Sequence, residues 1–356
     1  MSDEPLWVGL DVAADTTRVC IINAIGSVRH EETVTTSASA VAVLLSIYGS
    51  NKIKLIGLEA GGFGTHLTRR LRALDYPVAV YEARKVSKFL KIRRHKTDTN
   101  DARGLADIAR FGNESVSTVF VKSLECQQLR SKLAMRHRLI LQRMSGEGFI
   151  RSLLRLHGGR LKQIRSTREL RPFVEAEIAR IRSEENIDLG PNIFPLLNLC
   201  ESIRTYLDAL NQELLRTAQE NETCRRFLDI PGVGPICSLS FYSAIEDPRR
   251  FGRTANVAAY LGLVPNIKQS GLQFRRDGIS KMGSKMTRCH LVTAASVHLG
   301  ASKNATQLRA WGDALAERIG RSKAKVAVAR KLAITMLTMW KQETEYRPFA
   351  ITGPTN

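Results

Sequence analysis

Four carboxylates in the first third of the 356-residue chain have the types and places that phosphodiester chemistry needs. Asp11 follows the apolar run Leu6-Trp7-Val8-Gly9-Leu10, and Glu59 ends the run Lys54-Leu55-Ile56-Gly57-Leu58. Asp98 and Asp101 lie three apart in Lys96-Thr97-Asp98-Thr99-Asn100-Asp101-Ala102-Arg103, a spacing that turns both toward one face near a helix start. Clustered carboxylates hold two divalent cations about 4 Å apart, one activating the nucleophile and the other stabilising the leaving oxygen. Oxygen-rich ligands select Mg²⁺ or Mn²⁺ over zinc. Taken singly, Asp98 reads sooner as a helix N-cap and Glu59 as a solvated strand end. The set of four in matching elements is what points to a metal site.

Two further constellations lie in the last third. Ile230-Pro231-Gly232-Val233-Gly234-Pro235 has the form of the hairpin in a helix-hairpin-helix module. There Gly232 and Gly234 would let backbone N–H groups approach a phosphate, and the next helix N-terminus would add its dipole. A plain helix-turn-helix connection is the alternative. Leu263-Val264-Pro265-Asn266-Ile267-Lys268-Gln269-Ser270-Gly271 then leads into Arg275, Arg276, Lys281, Lys285 and Arg288. Ser270, before a glycine in a basic loop, reads either as a turn serine or as a nucleophile beside a phosphate, and no His or Lys base adjoins it in sequence. Lys268 and the cations after it are candidate phosphate contacts. Lys323, Lys325, Arg330 and Lys331 are a second group, with a solvated helix face as the alternative.

These residues need elements to position them. To about residue 112 the pattern is α/β. Strands are expected at Leu6–Leu10, at Val19–Ile22 and from Val28 to Val34. A helix over 38–49, a strand at Lys54–Leu58, a helix over Thr65–Leu74, a strand over Pro77–Tyr81 and a helix from Asp98 complete it. Three strands, helix, strand, helix, strand, helix is the element order of RNase H-like nucleases. From about 120 to 225 the chain reads as helical and highly charged. Leu196, Cys200, Ile203, Leu207, Leu210 and Leu214 step by four and three, an a/d seam, which Cys126, Leu129, Leu133, Ile140 and Met144 repeat less cleanly. An intramolecular hairpin and an intermolecular coiled coil both fit this seam. Gly190, Pro191 and Pro195 mark a break between the halves. From Phe227 a mostly helical region follows, with a Gly- and Lys/Arg-rich loop over 262–288. The expected domains are 1–115, 116–225 and 226–356.

The bulk numbers name the partner class. Fifty-four Lys and Arg against 34 Asp and Glu give a net charge of +20, which suits nucleic acid. An anionic membrane surface is the weaker partner, since no run of about 18 apolar residues occurs. The acidic N-terminus enters a strand directly, which leaves no ordinary signal peptide and points to the cytoplasm. Six scattered cysteines without a CxxC pair indicate neither a zinc site nor a disulfide framework.

At these motifs the sequence resembles the DEDD-type insertion-sequence transposases, which join an N-terminal RuvC-like domain to a C-terminal serine-bearing transposase domain. The resemblance spans nearly the whole chain. It is carried by Gly9-Leu10-Asp11-Val12, Leu58-Glu59-Ala60-Gly61, Lys96–Ala102, Pro231-Gly232-Val233-Gly234, Gly262-Leu263-Val264-Pro265 with Gln269-Ser270-Gly271, and Ala327-Val328-Ala329-Arg330-Lys331-Leu332. It implies an acidic tetrad at Asp11, Glu59, Asp98 and Asp101 that binds Mg²⁺ (or Mn²⁺), and a serine nucleophile at Ser270. It also implies a covalent serine–DNA intermediate and a structured guide (bridge) RNA, encoded by the element, that pairs with target and donor DNA. The assembly it implies is a homo-oligomer, dimer or tetramer. Two rival functions remain: a junction resolvase using the tetrad with water, and a noncatalytic nucleic-acid-binding scaffold. The intact tetrad speaks against the scaffold, and the long basic third region against a minimal resolvase.

Overall fold

A computed structural model describes residues 4–91, 98–112, 116–161, 170–270, 273–300 and 306–347; for 98–99, 267–270 and 273–277 it describes the backbone alone. The chain divides into two compact units, residues 1–123 and 124–356.

The first unit is built on a five-stranded mixed sheet. Leu6–Val12 (β1), Thr16–Asn23 (β2) and Val28–Thr35 (β3) form an antiparallel meander, and Ile53–Glu59 (β4) and Val78–Tyr81 (β5) add to it in parallel. The order is β3-β2-β1-β4-β5. Side chains alternate across a strand, so Leu6, Val8 and Leu10 go to one face. They join Ile56 and Leu58, the helix Ala38–Ser46 (α1) and the helix Gly62–Arg72 (α2) in one core. The Ser37 side chain caps α1 by accepting the Ala40 N–H at 3.1 Å. A helix not anticipated from the sequence, Ala83–Leu90 (α3), precedes Asp98–Phe111 (α4). On the second face α4 covers Cys20 and Ile22 through Ala102 and Ala106.

Among its described residues the second unit is helical apart from one β-ribbon. Leu124–Leu156 (α5), Leu170–Glu185 (α6) and Gly190–Glu220 (α7) lead to the short Glu222–Leu228 (α8), Pro235–Ile245 (α9) and Asn256–Tyr260 (α10). Strands Pro265–Ser270 (β6) and Gln273–Ile279 (β7) follow, and Lys285–Gly300 (α11), Gln307–Ile319 (α12) and Arg321–Gln342 (α13) complete the unit. The a/d seam exists. Cys200, Ile203, Leu207, Leu210 and Leu214 are buried along α7, whereas Leu196 is only half-buried. Its partner is within the same chain: a Cβ built on Gly146 of α5 would sit 2.7 Å from the Cys200 sulfur. The seam anticipated on α5 holds at Cys126 and Leu133 but not at Met144, which is 57% exposed. The expected proline break is also displaced. Pro191 falls in the first turn of α7 and Pro195 lies inside the helix, while the chain leaves helical geometry before Gly190. In the first turn the N–H that Pro191 lacks would have had no intrahelical partner.

The core of the C-terminal part gathers Phe227, Phe241, Leu291, Leu332 and Met336 from α8, α9, α11 and α13. Phe227 meets Phe241 edge-to-face at 5.6 Å. Five of the six cysteines are buried, and Cys289 on α11 is exposed. No helix among the described residues is long and apolar enough to cross a membrane.

Candidate active site

The acidic residues sit where two parallel strands end. The β1–β4 register pairs Gly9 with Gly57 and Leu10 with Leu58. Asp11 and Glu59 follow as the next residues of the two strands. Leu10 and Leu58 are fully buried in the α1/α2 core, so by alternation Gly9, Gly57, Asp11 and Glu59 belong to the opposite face.

That face is where α4 lies, and the two glycines let it come close. A Cβ on Gly9 would stand 1.9 Å from the Ala102 carbonyl oxygen and 2.4 Å from the Ala106 nitrogen. One on Gly57 would stand 2.9 Å from the Leu105 oxygen. The direction of α4 is set at its far end, where the Arg110 guanidinium donates to the Ala24 carbonyl at 3.2 Å. Ala24 follows β2 at the end where Asn23 pairs with Leu6. The C-terminus of α4 therefore marks the start of β1, and its N-terminus, with Asp98 and Asp101, lies toward Asp11 and Glu59. Asp11 and Asp101 are half-buried and Glu59 is exposed. The donor set is all carboxylate, which suits a hard divalent cation. Among the described residues no three His, Cys, Asp or Glu converge closely enough to hold an ion. The Asp98 side chain lies outside the described residues. Sequence reasoning missed Gly9 and Gly57, although each stands two residues before a carboxylate, which is the spacing that puts both on one face.

The segment carrying Ser270 is not the loop expected from its composition. It is a two-stranded ribbon whose register pairs Lys268 with Arg275, Gln269 with Phe274 and Ser270 with Gln273. Ser270 is thus the last residue of β6. The side chains of Lys268, Ser270, Arg275 and Arg276 lie outside the described residues. At the ribbon's base Ser280 N–H donates to the Val264 carbonyl at 2.8 Å and Lys281 N–H to that of Gly262 at 3.2 Å. Arg288 corrects an expectation. It is only 8% exposed. Its Nη1 donates to the carbonyls of Leu261 and Met282, both at 2.9 Å. It clasps the two chains entering and leaving the ribbon and has no face for a phosphate. Nothing in sequence marks this, because a buried arginine is offset only by carbonyls that the fold brings to it. Lys281 and Lys285 are exposed.

The Pro231–Gly234 turn joins α8 to α9. Gly232 has φ +87°, and a Cβ there would meet the Ala294 oxygen at 2.6 Å, so this glycine serves the packing of the turn on α11. His298 of α11 fastens it. Its Nδ1 lies 2.8 Å from the Pro231 carbonyl, which only accepts, so Nδ1 carries the proton. Nε2 then accepts from the Thr306 hydroxyl at 2.9 Å, and Thr306 caps α12 by accepting the Arg309 N–H. Gly234 is exposed, with open space where a Cβ would be. On α13 Lys323 is exposed, Lys325 and Arg330 are half-buried, and the Lys331 ammonium lies 4.7 Å from the centre of the Trp311 ring.

Paired strand-end carboxylates beneath a close-packed helix, in a chain of such positive charge, define an enzyme that works on nucleic acid. Residues 8–158 match the DEDD transposase profile of IS110 elements, and residues 224–310 match the profile described as "Transposase IS116/IS110/IS902 family". The chain is 31% identical, over 96% of its length and 91% of the relative's, to the "Transposase for insertion sequence element IS1111A" of Coxiella burnetii. It is 27% identical to the "Probable family 20 transposase" of Pseudomonas aeruginosa, over 96% of this chain and 98% of that one. A "Putative transposase y4pF/y4sB" of Sinorhizobium fredii is 24% identical over 97% of this chain and 86% of its own. The chain belongs to the IS110/IS116 family of insertion-sequence transposases, and is a DNA-cutting and DNA-joining enzyme. Its DEDD-type domain implies a reaction that depends on divalent metal.

Proposed function

We propose that this transposase is an RNA-guided DNA recombinase that cuts and rejoins strands through a serine–DNA ester. The observation that carries the reading is that Asp11 and Glu59 lie side by side at the ends of β1 and β4, with the N-terminal end of α4 directed toward them. The order β3-β2-β1-β4-β5, with β2 alone antiparallel to both its neighbours in the first unit's core, supports a RuvC-like, RNase H-like domain over 1–115. A helical segment over 116–225 and a transposase domain over 226–356, with a helix-hairpin-helix-like turn, complete the division.

In this reading Asp11, Glu59, Asp98 and Asp101 hold Mg²⁺, or Mn²⁺ in its place. When bound, that ion supplies Lewis-acid stabilisation of charge on the phosphate oxygens. The Ser270 oxygen attacks phosphorus, forming a Ser–O–P bond as the phosphorus–deoxyribose oxygen bond breaks. The proton given up by serine ends on the departing hydroxyl. Attack by the hydroxyl of the exchanged strand reverses the step, so no external energy source is needed. Arg275, Arg276 and Lys281 neutralise charge growing on the phosphate. Lys268, Lys285, Lys323, Lys325, Arg330 and Lys331, with the Gly232–Gly234 turn, contact nucleic-acid backbone. The partners are target and donor DNA and a bridge RNA from the element. The protein works in the cytoplasm as a dimer or tetramer, in which one protomer's acidic domain meets another's serine domain.

The test is a denaturing gel of labelled target DNA with protein, guide RNA and Mg²⁺. Wild type gives a covalent adduct, and Ser270→Ala binds both nucleic acids without forming adduct or recombinant. Cleavage by Ser270→Ala at the normal rate, leaving free phosphate and hydroxyl ends, makes water the nucleophile and the enzyme a resolvase.

A further inference from the structure

Directly after Glu59 the chain runs Ala60-Gly61-Gly62-Phe63-Gly64 into α2, and Phe63 is 56% exposed. The helix does not need it for folding: Gly64, Leu67, Thr68 and Leu71 form the buried face. Its place is fixed nonetheless. A Cβ on Gly64 would lie 2.9 Å from the Glu59 carbonyl oxygen, so the first turn of α2 packs on the end of β4. The Thr65 hydroxyl closes that turn by donating to the Gly61 carbonyl at 2.7 Å. An aromatic ring is thereby held in solvent four residues after Glu59, on a turn packed against the backbone of that strand end. The exposed residues of α2 continue from it as His66 and Arg70. Spacings of three and four put the ring, the imidazole and the guanidinium on one stripe, roughly 10 Å long at 1.5 Å per residue.

We propose that Phe63, His66 and Arg70 form a track for an unpaired DNA strand flanking the scissile phosphate, with Phe63 stacking on a base and Arg70 meeting the backbone. The inference rests on the acidic end being the cleavage site. A phenylalanine has no hydrogen-bonding group with which to read base edges, and a paired duplex hides the base faces. The ligand its chemistry fits is a base already out of its stack. Gly61 and Gly62 have open space where a Cβ would be, which leaves room for the strand beside the ring. DNA is favoured over RNA because the neighbouring carboxylates belong to a DNA-cutting enzyme.

The experiment uses the full-length protein in chelator, so that it is independent of cleavage. The probe is a DNA duplex with a short unpaired segment, in which 2-aminopurine occupies each unpaired position in turn. Stacking quenches one position in wild type and in Phe63→Trp, and Phe63→Ala loses the quench and binds roughly 5- to 100-fold more weakly. Arg70→Ala keeps the quench and lowers the slope of log affinity against log salt by about one. A quench unchanged in Phe63→Ala overturns the proposal. So does a quench seen only when the unpaired strand is RNA, or a Phe63→Ala protein that falls to a smaller oligomer in sedimentation while its fluorescence response stays intact. Failure of the cleavage reading is seen separately, as normal cutting by Asp11→Asn.

Discussion

Asp11 and Glu59 lie at the ends of neighbouring parallel strands whose glycines admit α4, so the site depends on two kinds of residue that substitutions separate. Asp11→Asn removes a charge but little packing. Cleavage is expected to fall on the order of 10²–10³-fold, while the melting temperature in chelator stays near that of wild type. The Mg²⁺-dependent rise in melting temperature should shrink, because a ligand stabilises only what it binds; an undiminished rise in Asp11→Asn rejects this set of ligands. Gly9→Ala does the reverse. It adds a methyl 1.9 Å from the Ala102 carbonyl and leaves every carboxylate in place. Overpacking of this kind costs about 1–3 kcal/mol, so urea unfolding should show a lower midpoint and cleavage should fall with it. His290 supplies a pH signature. Burial first, then the positive charges of Arg136 and His137, lower its pKa from 6.5 to about 4. The folded state therefore favours neutral His290 while the unfolded state protonates near 6.5. Stability from this residue is complete above pH 6.5 and is lost as pH falls toward 4. His290→Gln should flatten that part of the stability profile, and an unchanged profile assigns the acid sensitivity elsewhere.

At the scale of elements, one side chain joins the backbone bonds that close the base of the β-ribbon. Arg288→Ala would leave the carbonyls of Leu261 and Met282 without their donor at the ribbon's base. Adduct formation by Ser270 is expected to drop while the helical core, followed by circular dichroism, persists; retained adduct yield makes the clasp dispensable. Arg288→Lys should rescue in part, since Nη1 alone serves both carbonyls and an ammonium nitrogen can also donate twice. What was legible beforehand follows a physical division. The strands β1, β4 and β5 were readable as short apolar runs, and the α7 seam as a periodic apolar face. The ribbon was not, because Lys268, Gln269, Arg275 and Arg276 lack apolar alternation, and composition alone reads them as loop. α3 carries little sequence signal for the same reason, with only Val86 of its eight residues buried. The acidic quartet was legible as residue types at strand ends and a helix start. The glycines that admit α4 were not, since close approach is a property of two elements together.

For the whole molecule, a net charge of +20 exceeds what a few phosphate contacts require. Purified protein should retain a discrete RNA, enriched in sequence flanking the gene, and release it steeply with salt. Recovery of random cellular RNA alone would reduce the charge to general polyanion binding. Cys289 turns the same surface into something observable. With the other five thiols buried, an alkylating reagent meets one cysteine on the native protein, and no engineered label is required. It stands one helical turn after Lys285, and residues four apart share a helix face. Modification by iodoacetamide is therefore a footprint of that edge: nucleic acid lying along it should slow alkylation of Cys289, and high salt should restore the rate.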